Sequence, residues 1–378
     1  MFFEGISSQA ILFFSLYGIT GVVPLIAAVY LLFRRGNAFM PHVSPPMRLR
    51  RWAASFFALS ALGHVWWYIF YTYFGDINSA GFVVLVMLDC VTLITTIAGT
   101  LLSMLQDRKR PEWIAFAGMI PFVALSVLQI LYPDGPFMKI AAIYILSFYV
   151  LFSGYMVYAV RQYGRWLNDN YADLEDKKVW LTQVLSLICM LSFFLYAFTE
   201  TDIVFIYLMH VAELILFGLL LWRVETLPQL DSIPAQETDS MSQPDTVTEP
   251  EAANQVEQAP AVPANIDLSH IEKLLKKKCV ATRLYLQHDL SLQQLAQALG
   301  TNRYYLSQYF RAQGINYNAY INGLRINHFI SRYHEVAATG QSFTVQQLAS
   351  ESGYHSYSTF SLAFKQRMGQ SVTAWMSK

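Results

Sequence analysis

The chain has 378 residues, 54% hydrophobic and only 14% charged, with a net charge of zero and a mean hydropathy of +0.33. A typical soluble domain carries roughly 25% charged residues, so this composition excludes an ordinary soluble protein. The three cysteines, Cys90, Cys189 and Cys279, show no spacing for a disulfide framework or a metal site.

The first 222 residues contain seven apolar runs, at 10–33, 52–74, 82–105, 112–132, 137–160, 179–198 and 203–222. Each is near the 20 residues a helix needs to cross a bilayer. None shows the two-residue alternation of a membrane barrel, so all are expected to be helices. The opening Met-Phe-Phe-Glu lacks a basic stretch, and no cleaved signal peptide is expected. The connections at 34–51, 106–111 and 161–178, with Arg223, hold thirteen Lys or Arg, whereas the alternate connections have only Lys139 near them. The positive-inside rule then places the N-terminus outside and the C-terminus in the cytoplasm, as in a bacterial inner membrane.

A few ionisable residues lie well within these runs: His64, Asp89, His210 and Glu213. Such groups are costly in hydrocarbon and face a bundle interior or cavity. They are read either as a pocket sensing a ligand or protons, or as interhelical hydrogen-bond partners. A zinc site needs three protein ligands and a water; His64, Asp89 and His210 match no ligand spacing. No metal, cofactor or catalysis is expected.

Residues 224–265 hold eight acidic residues, six prolines and no Lys or Arg. That composition cannot bury enough surface to fold, and a disordered tether is expected. The 41 residues from Glu225 to Asn265 would reach about 35 Å r.m.s. as such a chain.

Residues 266–378 reverse the charge, with twelve Lys or Arg against five Asp or Glu, an asymmetry that points to nucleic acid or a membrane surface. Leu268, Ile271, Leu274 and Leu275 have helical spacing and lead into Lys276-Lys277-Lys278; that run suits a solvated helix end or anionic lipid as readily as DNA. The string Gln-Gln-Leu-Ala occurs at 293–296 and again at 346–349, each time with a glycine four residues past the alanine (Gly300, Gly353). Ser291 and Thr344 are good N-caps for the first helix of each copy. A second helix follows each glycine, at about 302–313 and 356–368, with Leu306 and Phe310, then Phe360 and Phe364, turned inward. This is the sequence pattern of a helix-turn-helix used twice. The second helix of such a motif enters the major groove. The outward side chains are Arg303, Tyr304, Ser307, Gln308 and Arg311 in the first copy, and Tyr357, Ser358, Ser361, Leu362 and Lys365 in the second. Gln pairs bidentately with adenine, and Arg with guanine or phosphate. Between the copies, 316–338 reads as one helix of about 35 Å, close to one turn of DNA.

Leu292-Gln-Gln-Leu-Ala-Gln-Ala-Leu-Gly300, Tyr305-Leu-Ser-Gln-Tyr-Phe310 and Tyr320-Ile-Asn-Gly-Leu-Arg-Ile326 resemble the first half of the AraC/XylS DNA-binding domain. Leu348-Ala-Ser-Glu-Ser-Gly-Tyr354, Ser356-Tyr-Ser-Thr-Phe360, Phe364-Lys365 and Gly369 resemble its second half. The resemblance implies a bacterial transcription regulator with base-facing positions at Tyr304, Ser307 and Gln308, then Tyr357, Ser358, Ser361 and Leu362. Leu362, Val372 and Met376 depart from the family's pattern, which implies a weaker second reader. The family's usual soluble sugar-binding sensor is replaced by the membrane region.

The expected fold is all-α: a seven-helix transmembrane bundle at 1–223, a tether at 224–265 and a DNA-binding domain with two helix-turn-helix motifs at 266–378. The expected partners are double-stranded promoter DNA and the lipid bilayer. RNA polymerase, an unidentified small ligand or membrane partner, and a second copy of the chain are further candidates. The alternative is a membrane enzyme or transporter with a regulatory DNA-binding tail. Binding without catalysis accounts for every strong motif.

Overall fold

A computed structural model describes residues 8–76, 79–198, 203–230, 268–340 and 342–377; among them every regular element is helical, apart from an isolated antiparallel bridge between Tyr171 and Ser291. The chain divides into two compact units, residues 1–163 with 176–231, and residues 164–175 with 232–378.

The first unit contains α1 (Ser8–Phe33), α2 (Met47–Tyr73), α3 (Ala80–Ser103), α4 (Trp113–Leu131), most of α5 (Phe137–Asn170), α6 (Trp180–Phe198) and α7 (Ile203–Thr226). Each expected apolar run falls on one of these helices. Six are long and apolar enough to cross a membrane: Ala10–Phe33, Met47–Tyr73, Ala80–Ser103, Trp113–Leu131, Phe137–Asn170 and Ile206–Thr226. The run at 179–198 falls on α6, helical over 19 residues, whose side chains from 192 onward lie outside the described residues. Large apolar side chains such as Phe14, Ile26, Ile120, Leu151 and Ile215 point outward and are well exposed. So much exposed apolar surface suits lipid rather than water, and these helices support a multi-pass membrane protein.

Two boundaries differ from the sequence expectation. First, α5 continues ten residues past the run at 137–160, so the first half of the connection expected at 161–178 is helix. Second, the tether cannot begin at 224. Glu225 and Thr226 belong to α7, and Glu225 is fully buried. Its carboxylate pairs with Arg34 at 3.1 Å and accepts from the Tyr30 hydroxyl, while its carbonyl accepts from Asn37 Nδ2 at 2.7 Å. Leu227 and Leu230 are buried as well, and the Leu230 amide donates to Gln106 Oε1. An acidic residue read by composition as tether is held by a buried ion pair. The tether positions 231–265 lie outside the described residues.

The second unit starts with α8 (Leu268–Leu274), which runs on as a π-helical turn, Leu275–Val280, and a short turn at Leu284–Leu286. Then come α9 (Leu292–Leu299), α10 (Arg303–Ala312), the 23-residue α11 (Tyr317–Thr339), α12 (Val345–Glu351), α13 (Tyr357–Met368) and α14 (Val372–Met376). Short polar side chains start all of the last six. Ser291, Asn302, Asn316, Thr344, Ser356 and Ser371 each accept a backbone N–H of the first turn, a bond typically worth about 1 kcal/mol. At α9 the cap is reciprocal, because Gln294 Oε1 accepts from the Ser291 amide at 2.9 Å. Lys278 does not serve its own helix end; its ammonium donates to the Leu299 carbonyl at 3.0 Å and caps α9.

Two apolar cores share α11. Tyr317 and Ile321 pack with α8, α9 and α10, whereas Ile326, Phe329 and Val336 pack with α12, α13 and α14. Cys279 lies in the first core, where burial pushes its thiol up to about 11.

Candidate nucleic-acid interface and membrane polar cluster

The inward positions read from the sequence are all buried: Leu292, Leu295, Ala296, Leu299, Leu306 and Phe310 in the first half, and Phe360 and Phe364 in the second. Gly300 and Gly353 both take positive φ, at 73° and 88°. At Gly353 an added Cβ would meet the Leu286 carbonyl oxygen at 2.7 Å and Arg325 Nε at 3.0 Å, so contact as well as φ requires glycine there.

With the inward face fixed, the opposite face of α10 carries Tyr304 and Arg311 exposed, with Arg303, Ser307 and Gln308 partly covered. On α13, Tyr357, Ser358, Leu362 and Lys365 are exposed and Ser361 is partly covered. Helical geometry brings each set together on one face.

Sequence reasoning missed residues 164–175, which pack into this unit as a wedge. Ala172 is buried in the first core, and its amide donates to the Leu290 carbonyl at 3.2 Å. Asn318 Nδ2 donates to the Ala172 carbonyl at 2.6 Å. Asp173 uses both oxygens: Oδ2 accepts from the Asp289 amide at 2.9 Å, and Oδ1 lies 2.9 Å from Arg325 Nη1. Arg325 is fully buried. Its Nε donates to the Tyr285 carbonyl at 2.8 Å, its Nη2 to the Gln287 carbonyl at 2.7 Å, and its guanidinium lies over the Tyr354 ring. One arginine in the middle of α11 thus ties together the turn before α9, the wedge and the start of the second half.

The wedge also touches expected readers. Asn170 Oδ1 accepts from Arg303 Nη2 at 2.5 Å and Nε at 3.1 Å. The Glu175 carboxylate accepts from the hydroxyls of Ser356, Ser358 (2.8 Å) and Thr359, at the N-terminus of α13. An anion at a helix N-terminus is favoured by the dipole and the free N–H groups. The sequence signal was present: between its basic ends the connection reads Asn168-Asp-Asn-Tyr-Ala-Asp-Leu-Glu-Asp176. Only its basic residues entered the orientation count.

In the membrane unit the structure separates the four ionisable residues. His64, His210 and Glu213 converge, with their ligand atoms within 4.8 Å of one another. Asp89 is held by two indole donors instead, Trp66 Nε1 at 3.0 Å and Trp67 Nε1. The sequence also passed over Thr20, whose hydroxyl lies 3.0 Å from His64 Nε2 and 3.3 Å from His210 Nδ1, and Tyr17, whose hydroxyl donates to the His64 carbonyl.

Residues 295–378 match the family model described as a helix-turn-helix domain. No curated protein and no solved structure gave a significant match. A helix-turn-helix domain, carried on a chain whose other unit is built of apolar helices of membrane-crossing length, is thus present.

Proposed function

We propose that the chain is a membrane-embedded transcription regulator of the AraC/XylS kind. In this reading α9–α10 and α12–α13 are two helix-turn-helix motifs that bind promoter DNA, and residues 164–175 govern their access to it. The observation that carries the reading is the outward face of α10 and α13, where the expected base-contacting side chains sit together on helices seated by buried partners. The two cores hang on one helix of 23 residues, about 35 Å long. That length suits successive major grooves about 34 Å apart.

The wedge supports regulation. Asn170 and Glu175 hold Arg303 and Ser358, both expected readers, so DNA and the wedge compete for the same groups. Residues 164–170 are the last turns of α5 and 171–175 follow it directly, so a shift in that helix can be passed to both readers. In this reading all seven helices cross the bilayer, six of them long and apolar enough by themselves, and the excess of basic residues in alternate connections favours a cytoplasmic C-terminal domain.

The test uses full-length protein in nanodiscs and its genomic binding sites. Tyr304→Ala with Gln308→Ala should abolish sequence-specific binding, and Glu175→Ala should tighten it several-fold. The absence of any sequence-specific site, or equal affinity in Glu175→Ala, would count against the reading or its regulatory part respectively.

A further inference from the structure

We infer that Thr20, His64, His210 and Glu213 form a binding site for a divalent metal of the zinc class inside the membrane bundle. The ligands come from three mutually packed helices, α1, α2 and α7. Glu213 Oε2 lies 3.6 Å from His210 Nδ1 and 3.9 Å from His64 Nε2. Zinc bonds of 2.0–2.1 Å in a tetrahedron put neighbouring ligand atoms about 3.4 Å apart; the two edges to Glu213 are within about half an ångström of that, and all three ligand atoms lie within 4.8 Å of one another. Two His and one Glu, with a fourth position for water or the Thr20 hydroxyl, is the donor set of a site with an open position.

The hydrogen bonds prepare His64 for a cation. His64 Nδ1 lies 3.0 Å from the Ser60 carbonyl oxygen, which only accepts. Nδ1 therefore carries the proton, and in the neutral ring Nε2 presents a lone pair to the cluster. A ligating histidine that donates its other N–H to a backbone carbonyl is the usual outer-shell pattern of metal sites. The Thr20 hydroxyl has one proton but faces the Leu16 and Tyr17 carbonyls at 3.0 Å as well as both rings. The Glu213 carboxylate faces both imidazole rings, and a bound cation would be held by all three groups. Gly21 allows the close approach of α1, since a Cβ there would lie 3.3 Å from His64 Cβ. Phe13 and Tyr17 flank the rings and limit solvent access.

That this metal is the regulator's signal rests on the proposed function; its binding does not. The test titrates Co2+, a visible reporter of zinc-type sites, into metal-stripped full-length protein in detergent. The expected result is one equivalent bound with tetrahedral Co2+ absorption, displaced by Zn2+ and untouched by Mg2+. His210→Ala and the isosteric Glu213→Gln should each weaken binding at least tenfold, and Asp89→Asn should weaken it far less. X-ray absorption of the wild-type protein, which needs no variant to fold, should count two imidazoles and one carboxylate. No tetrahedral band, or a band that survives Glu213→Gln, overturns the site. Regulation is read separately, by operator binding with and without Zn2+, so its failure and the site's failure are distinguishable.

Discussion

Arg325 Nη1 lies 2.9 Å from Asp173 Oδ1, across 152 residues of sequence, and the arginine is fully buried. A guanidinium this far from water needs its partners, because an uncompensated buried charge costs several kcal/mol.

Asp173→Leu should therefore destabilise the second unit by about 3–5 kcal/mol, whereas the double variant Asp173→Leu with Arg325→Met should recover much of that loss, since apolar pairs often replace buried ion pairs at little cost. Chemical denaturation of the full chain in detergent, followed in the double-mutant cycle, checks this. A double variant no better than Asp173→Leu alone would mean that the carbonyl bonds to Tyr285 and Gln287, and not the charge pair, set the energy. It also follows that cutting the chain at residue 265 removes part of the core of the C-terminal unit, so point variants test its function more cleanly than truncation.

The readers should separate by chemistry. Gln308→Ala should relax preference at one base position by about 1–3 kcal/mol. Lys365→Ala should weaken all sequences alike and lower the slope of log affinity against log salt by about one. Competition binding over a randomised operator library at several salt concentrations distinguishes the two.

Gly353 and Gly314 offer a matched comparison. Both take positive φ, at 88° and 67°, but a Cβ at Gly314 meets nothing within 4 Å while one at Gly353 meets a backbone oxygen at 2.7 Å. Gly314→Ala should cost about 1–2 kcal/mol, the left-handed penalty alone. Gly353→Ala should cost clearly more, by thermal unfolding of the two variants side by side. Equal losses would assign the whole effect to backbone strain.

His328 gives the second unit an acid-sensitive component. Burial, followed by Arg283 and Arg332, holds its imidazole below the usual histidine range. The unfolded chain then binds a proton more readily than the folded one. The native state keeps its full advantage above the unfolded pKa of about 6.5 and loses it as pH falls through that value toward the depressed folded one. His328→Gln should narrow the fall in melting temperature between pH 8 and pH 5.5; an unchanged difference between wild type and variant would remove His328 from the account.

The legible part of the protein was the part encoded by local periodicity. Apolar length alone located each of the helices α1–α7, to within a few residues at every end except the C-terminal end of α5, because a helix satisfies its backbone groups within one segment. The caps Ser291 and Thr344, the glycines at 300 and 353 and the faces of α10 and α13 were equally local, set by 3.6-residue spacing and by short polar or achiral residues. The helix-turn-helix pattern followed from these. Composition misplaced Glu225, whose acidity read as tether although Arg34 and Tyr30 bury it at the end of α7. Nor did anything in sequence spacing bring His64 to His210 and Glu213 while giving Asp89 to two tryptophans. Only three-dimensional packing settles which of several intramembrane polar groups meet, because each helix fixes its own face but not its neighbour's rotation. The wedge is the clearest case. Asn170, Asp173 and Glu175 look like an ordinary polar connection, and their roles exist only because residues more than a hundred positions later surround them.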